Sequence, residues 1–76
     1  MNINKLKSLM YVAELGSVSA ASNAMHRTQA AVSQHLKDLE EELGLPLVDR
    51  TRRPVSLTRE GEELVAVTRQ MLRQWN

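Results

Sequence analysis

The side chains able to do chemistry here are hydrogen-bonding and cationic ones. The chain has no cysteine, which removes thiol catalysis, Cys-based zinc sites and disulfides together. Its two histidines, His26 and His35, lack the cysteines and spaced carboxylates that would complete a metal site. No serine sits in a strand-turn-helix elbow that would make it a nucleophile. An enzyme, a bound metal and a cofactor are therefore not expected. What remains is a short polar group, Thr28, Gln29, Ala30, Ser33, Gln34 and Lys37, and an arginine pair, Arg52 and Arg53. A glutamine amide can pair with adenine N6 and N7 together, and a Thr or Ala methyl can meet the methyl of thymine. Thr28, Ser33 and the N–H groups at a helix start suit phosphate oxygens. Two arginines at a turn can straddle a minor groove or the phosphates beside it.

Those residues need elements to hold them. Leu6, Leu9, Met10 and Ala13 recur at helical spacing, which predicts a helix over 3–15, capped by Asn2 or Asn4 and closed by Gly16. Ser17 caps a short helix over about 18–25, rich in Ser and Ala and expected in the middle of the packing. After a tight turn, Thr28 caps a third helix over about 29–43, with Val32, Leu36, Leu39 and Leu43 inward and Gly44 as its stop. Its opposite face presents Gln29, Ala30, Ser33, Gln34 and Lys37, and its N-terminal half carries no acid. Two short extended pieces surround Thr51-Arg52-Arg53-Pro54, and Pro54 makes the second an edge strand or delays it to Val55. Thr58 then caps a last helix with Glu60 and Glu62 in its first turn, where the macrodipole favours acids. The third helix alone is equally an ordinary amphipathic helix. The basic turn directly after a helix-turn-helix adds the weight: the fold expected is mainly α, a winged helix-turn-helix over 1–58 followed by a last helix over 59–76.

Charge and size agree. With 76 residues the chain makes one small core and one binding face. Its composition, 42% hydrophobic and 25% charged, is that of a folded globular chain. Net charge is only +1, but it is unevenly placed. Residues 1–37 carry Lys5, Lys7, Arg27 and Lys37 against Glu14 alone, and residues 50–59 hold Arg50, Arg52, Arg53 and Arg59 with no acid. The acids concentrate in Asp38 and Glu40 to Glu42. Clustered positive charge suits a polyanion. The apolar run near the start is short and interrupted by Glu14, so neither an export signal nor a membrane span is expected, and a cytoplasmic location is.

The order and spacing of five stretches make the chain resemble the DNA-binding domain of the LysR-type transcriptional regulators. They are Gly16 to Ala21, Thr28 to Gln34, Leu39 to Leu47, Arg50 with Arg53, and Leu57 to Gly61, and they match without gaps from residue 2 to about 75. The resemblance implies double-stranded DNA as partner. The third helix would lie in the major groove, with contacts from Thr28, Gln29, Ala30, Ser33, Gln34 and Lys37. The wing, residues 50–55, would bring Arg52 and Arg53 to the minor groove or backbone. It also implies that the last helix, 59–76, is a long linker and dimerisation helix giving a dimer or higher homo-oligomer, and that a larger effector-binding domain outside this chain would carry any small-molecule effector. The chain departs from the family pattern at Ala30, where Pro is usual, and at Gln34, where Arg is often found. Arg would favour guanine; Gln favours adenine. His35, Asp38, Val48 and Val18 are further departures.

Assembly is also suggested by the residues themselves. Leu64, Thr68, Met71, Leu72 and Trp75, with Gly61, continue an apolar stripe to the chain end, past what a small core covers. A protein-interaction module is thus a second reading, compatible with the first. Salt-dependent duplex binding discriminates between DNA binding and self-association alone.

Overall fold

The computed structural model describes the backbone of residues 2–75 and the side chains of residues 2–73. Four helices and one small hairpin follow one another: α1 (Ile3–Leu15), α2 (Val18–Met25), α3 (Gln29–Leu43), β1 (Val48–Asp49), β2 (Ser56–Leu57) and α4 (Arg59–Trp75). Each boundary has a local cause. Asn2, Ser17 and Thr28 accept the N–H of Lys5, Ala20 and Ala31, so each of the first three helices starts on a side-chain cap. Gly16 and Gly44 end α1 and α3 in the left-handed conformation, each donating its N–H back four residues, to Val12 and Glu40. His26 does the same work for α2 at φ 57°, a backbone shape that a non-glycine residue adopts at a cost. Thr58 starts α4 by accepting the Gly61 N–H at 3.1 Å while its hydroxyl donates to the Pro46 carbonyl at 2.7 Å.

The core is aliphatic. Leu6, Leu9 and Val12 of α1 meet Ala21 of α2, Val32, Leu36 and Leu39 of α3, Leu47 and Val48 at the wing's start, and Val65 of α4. Burying side chains of this kind is the main source of stability, at about 1.5–3 kcal/mol for each Leu or Val. Met10 and Ala13, expected inward, are half-buried against this cluster. Two expectations need correction. Leu43 is 38% exposed, because the last turn of α3 runs past the end of the core. The small residues of α2 bury only one face, Ala21 and Ser22, while Ser19 and Ala24 lie exposed.

The hairpin is antiparallel, with Val48 opposite Leu57 and Asp49 opposite Ser56. Its second strand begins after Pro54, as the missing N–H of proline requires. The hairpin is fixed at two places, to the end of α1 and across its own base. The Val55 N–H donates to the Gly16 carbonyl at 2.8 Å, and the Thr58 N–H to the Leu47 carbonyl at 3.0 Å. Gly61 permits the second attachment: a Cβ there would stand 2.1 Å from the Leu47 carbonyl oxygen. The whole is a winged helix-turn-helix.

Candidate nucleic-acid interface

All six polar-face residues expected on the third helix are exposed, and helical geometry sets them along one side of it. Thr28, Gln29, Ala30, Ser33, Gln34 and Lys37 contribute nothing to the core, while Val32, Leu36 and Leu39 face inward. The Thr28 hydroxyl accepts the Ala31 N–H at 3.0 Å and keeps its own proton to donate. Beside it the first N–H groups of α3 point out of the helix, a partial positive pole suited to an anion.

The acids nearest this face are compensated. Asp38 accepts from the Gln34 amide nitrogen at 2.8 Å and faces the Lys5 ammonium of α1 at 3.3 Å. The Gln34 amide, and then Lys5, hold the Asp38 carboxyl below its usual range. Lys5 also lies 3.7 Å from Glu42. Glu40 turns inward from the acidic run. Its Oε2 accepts the N–H of Leu47 at 2.8 Å and of Val48 at 3.3 Å, and Arg50 grips both carboxylate oxygens at 3.0 and 3.3 Å. Burial opposes its charge, but the Arg50 guanidinium and the two backbone donors outweigh this and hold the carboxyl below its ordinary value. Glu40 therefore joins the recognition-helix candidate to the wing.

His35 is a packing residue. Its Nδ1 lies 2.6 Å from the hydroxyl of Ser8, a fully buried serine of α1 that also reaches the Met25 sulfur at 3.6 Å. Burial first, then the charges of Arg27 and Lys5, lower its pKa against the pull of Asp38, so the neutral ring is favoured. His26 is the turn residue already described. Among the described residues no group of His, Asp and Glu could hold a metal ion.

The wing separates its arginines. The Arg52 side chain is 77% exposed and only loosely paired, 3.9 Å from Asp49. Arg53 is exposed, yet its Nη1 donates to the Arg50 and Arg52 carbonyls at 2.9 and 3.0 Å, so part of its guanidinium holds the turn. Among the described residues its Nη2 and Nε make no such contact. Arg50, the third cation, is committed to Glu40. In the sequence Lys5 and Glu40 count only as members of charge clusters, and Asp38 as a departure from the family pattern. The i, i+4 spacing of Gln34 and Asp38 was the available signal for one contact; nothing local marks Lys5.

The stripe expected on the last helix divides. Thr68 is buried (1% exposed) and donates to the Leu64 carbonyl at 2.9 Å. It faces its own domain with Gly61 and Val65, which corrects its assignment to a seam between copies. Leu64 is half-buried against the core, and Leu72 is half-buried. Met71, 40% exposed, and Val67, 53% exposed, form the open apolar strip, and Val67 was not anticipated. The side chain of Trp75 lies outside the described residues. Arg69 binds Glu14 at 3.0 Å and ties α4 to α1. No described helix is long and apolar enough to cross a membrane.

Known proteins resemble this chain in sequence and fold. The family profile described as bacterial regulatory helix-turn-helix protein, lysR family, matches residues 3–62. The HTH-type transcriptional regulator DgdR of Burkholderia cepacia is 40% identical over 74 residues, which is 97% of this chain and 25% of that protein. The HTH-type transcriptional regulator MetR of Haemophilus influenzae is 36% identical over 72 residues, 95% of this chain and 23% of that protein. The chain thus spans about a quarter of the length of these curated relatives. In a crystal structure of the BenM DBD with benA site 1 DNA, the protein superposes with a TM-score of 0.93 at 31% identity, covering 97% of this chain and 86% of that one. Profile, relatives and fold agree: the chain belongs to the lysR family of bacterial regulatory helix-turn-helix proteins.

Proposed function

We propose that this chain binds double-stranded DNA sequence-selectively and is the DNA-binding part of a bacterial transcriptional regulator, not an enzyme. The observation that carries this is the exposed face of α3. It gathers donors, amides and methyl groups, takes no part in the core, and has its nearest acids neutralised from within. In this reading α3 enters the major groove, where Gln29 and Gln34 read base edges and Ala30 meets a thymine methyl. Thr28, Ser33 and Lys37 hold phosphates, and Arg52, with the free part of Arg53, reaches the minor groove or backbone. The crystal structure of the BenM DBD with benA site 1 DNA, a related fold, supports DNA as the partner. A cytoplasmic location follows from such a partner.

The same proposal makes the chain a homodimer or larger homo-oligomer. Leu64, Met71, Leu72 and Trp75 of α4, joined by Val67, would pack against a second copy, with residues 1–58 as the DNA-binding unit and 59–76 as the linker helix. A two-fold pair would present two copies of α3 to half-sites about one helical turn apart, or a multiple of it. Any small-molecule effector would act through a domain outside this chain. Selection of bound duplexes from a random pool, followed by affinity against salt, tests the reading. Enriched sequences and a negative log-log slope of about 0.9 per neutralised phosphate are expected. Binding without sequence enrichment, or without salt dependence, would overturn it.

A further inference from the structure

We propose that Asp38, anchored by Lys5, is a specificity-determining positioning residue that fixes how the Gln34 amide faces the groove, selecting adenine and rejecting guanine. The proposal rests on the DNA-binding reading above. An unrestrained glutamine amide can turn over and exchange its donor and acceptor ends. Here it cannot turn freely. A carboxylate only accepts, so the amide nitrogen, not the oxygen, must face Asp38 Oδ1, at 2.8 Å. One of the two N–H groups is thereby used.

What remains for a base is one acceptor, Oε1, beside one donor. Adenine presents the complement in the major groove, the N6 donor and the N7 acceptor. Guanine presents two acceptors, N7 and O6. A free amide nitrogen could serve both with its two N–H groups, but a clamped one has a single N–H left and sets its oxygen against a guanine acceptor. The clamp is well supported. Lys5 lies on α1, so its contact with Asp38 at 3.3 Å holds the carboxylate from outside α3. The two side chains are only 21% and 29% exposed, which limits screening by water. Asp38 stays ionised well into acid because its pKa is lowered.

The test compares binding to duplexes that differ only in adenine or guanine at the base position whose preference Gln34→Ala abolishes. The proteins are the unaltered chain, Asp38→Asn, Lys5→Met, Gln34→Ala and the Asp38→Asn, Gln34→Ala pair, each checked for helical content by circular dichroism. Asp38→Asn should lower the adenine-over-guanine ratio about 2- to 10-fold, the worth of one hydrogen bond. Lys5→Met should shift it in the same direction by less, and decides the matter if Asp38→Asn does not fold. In the Gln34→Ala background Asp38→Asn should leave the ratio at one. An unchanged ratio in Asp38→Asn overturns the proposal while leaving DNA binding intact. So does a ratio that moves equally without Gln34, which would mark a general structural effect. A higher adenine-over-guanine ratio in Asp38→Asn also overturns it, since Asp38 would then be withholding the amide from adenine. Absence of duplex binding by the unaltered chain removes the underlying reading and this one with it.

Discussion

Replacing Glu40 should loosen the wing from the helical body, and the size of the effect can be worked out contact by contact. The carboxylate accepts two backbone N–H groups, from Leu47 and Val48, and pairs with Arg50. Leu47 is 1% and Val48 4% exposed, so Glu40→Ala leaves their amides without an acceptor in a poorly hydrated place. A hydrogen bond to a charged group contributes about 1.5–3 kcal/mol, and an orphaned buried donor costs about 1–3 kcal/mol. The Val48 contact is the longer one, at 3.3 Å, and contributes less. The Arg50 side chain is 53% exposed, so the ion pair adds only about 0–1 kcal/mol. The amides therefore dominate, and Glu40→Ala should cost about 2–4 kcal/mol. A chain this size has roughly 4–11 kcal/mol in total, so the loss is large. Urea unfolding should show a midpoint lower by on the order of 2 M, with an m-value near 1 kcal/mol/M. Arg50→Ala should cost about 1 kcal/mol or less. The acid limb gives a second reading. Glu40 has a lowered pKa in the fold, so its contribution is present above the ordinary carboxylate value near about 4.3 and is lost as pH falls through the folded value below it. Between about pH 5 and 3 the unaltered chain should lose stability more steeply than Glu40→Gln, because the other carboxylates are common to both. If Arg50→Ala proved as costly as Glu40→Ala, or the two acid limbs ran parallel, the backbone amides would not be what Glu40 serves.

Gly61→Ala places a Cβ 2.1 Å from the Leu47 carbonyl oxygen, so α4 and the backbone just before β1 must part. A loss of about 3 kcal/mol or more is expected in thermal unfolding, and an unchanged Tm would refute the contact. Arg52→Ala should weaken binding to all duplexes alike and flatten the salt slope by about 0.9 per lost phosphate. Arg53→Ala should add a smaller slope change but also loosen the turn, because its guanidinium serves two loop carbonyls; an unaltered slope in the double variant would take the wing out of the interface. Val67→Asp with Met71→Asp alters two exposed side chains, so helical content should hold while sedimentation at tens of micromolar shifts to monomer. A monomer before mutation would instead remove the seam.

Much of the architecture was readable because local signals agreed with one another. Ser17, Thr28 and Thr58 cap helices where they were expected, and Gly16 and Gly44 close two of them. The polar face of α3 followed from periodicity once Val32, Leu36 and Leu39 were taken inward. The misses have a common cause, the rotation and extent of one element against another. Leu43 keeps the helical period but lies beyond the neighbours that would cover it. Thr68 has a seam-like spacing, yet α4 turns that side toward α1. Glu40 sits one turn after Leu36 on the flank of the apolar stripe, but its charge hid it among solvated acids. The Lys5–Asp38 and Ser8–His35 pairs join α1 to α3 across 33 and 27 residues, and no local pattern reports a pairing at that distance.

The exposed polar face of α3, with Thr28 before it, bears on how such a chain can diversify. Thr28, which caps the helix, and Gln34, which bonds Asp38, aside, none of these residues supports the fold, and the wing is held to the body by Glu40, Gly16 and Thr58 instead. Substitutions at Gln29, Ala30, Ser33 and Lys37 should therefore be nearly free of any folding penalty. A library randomised at those four sites would keep most of its members folded, and lineages could drift between target sequences without first acquiring compensating stability. Gln34 is the exception, since its amide is shared with a neighbour whose own partner lies on another helix. Change there would have to travel in company, with residues 34, 38 and 5 moving as a linked set.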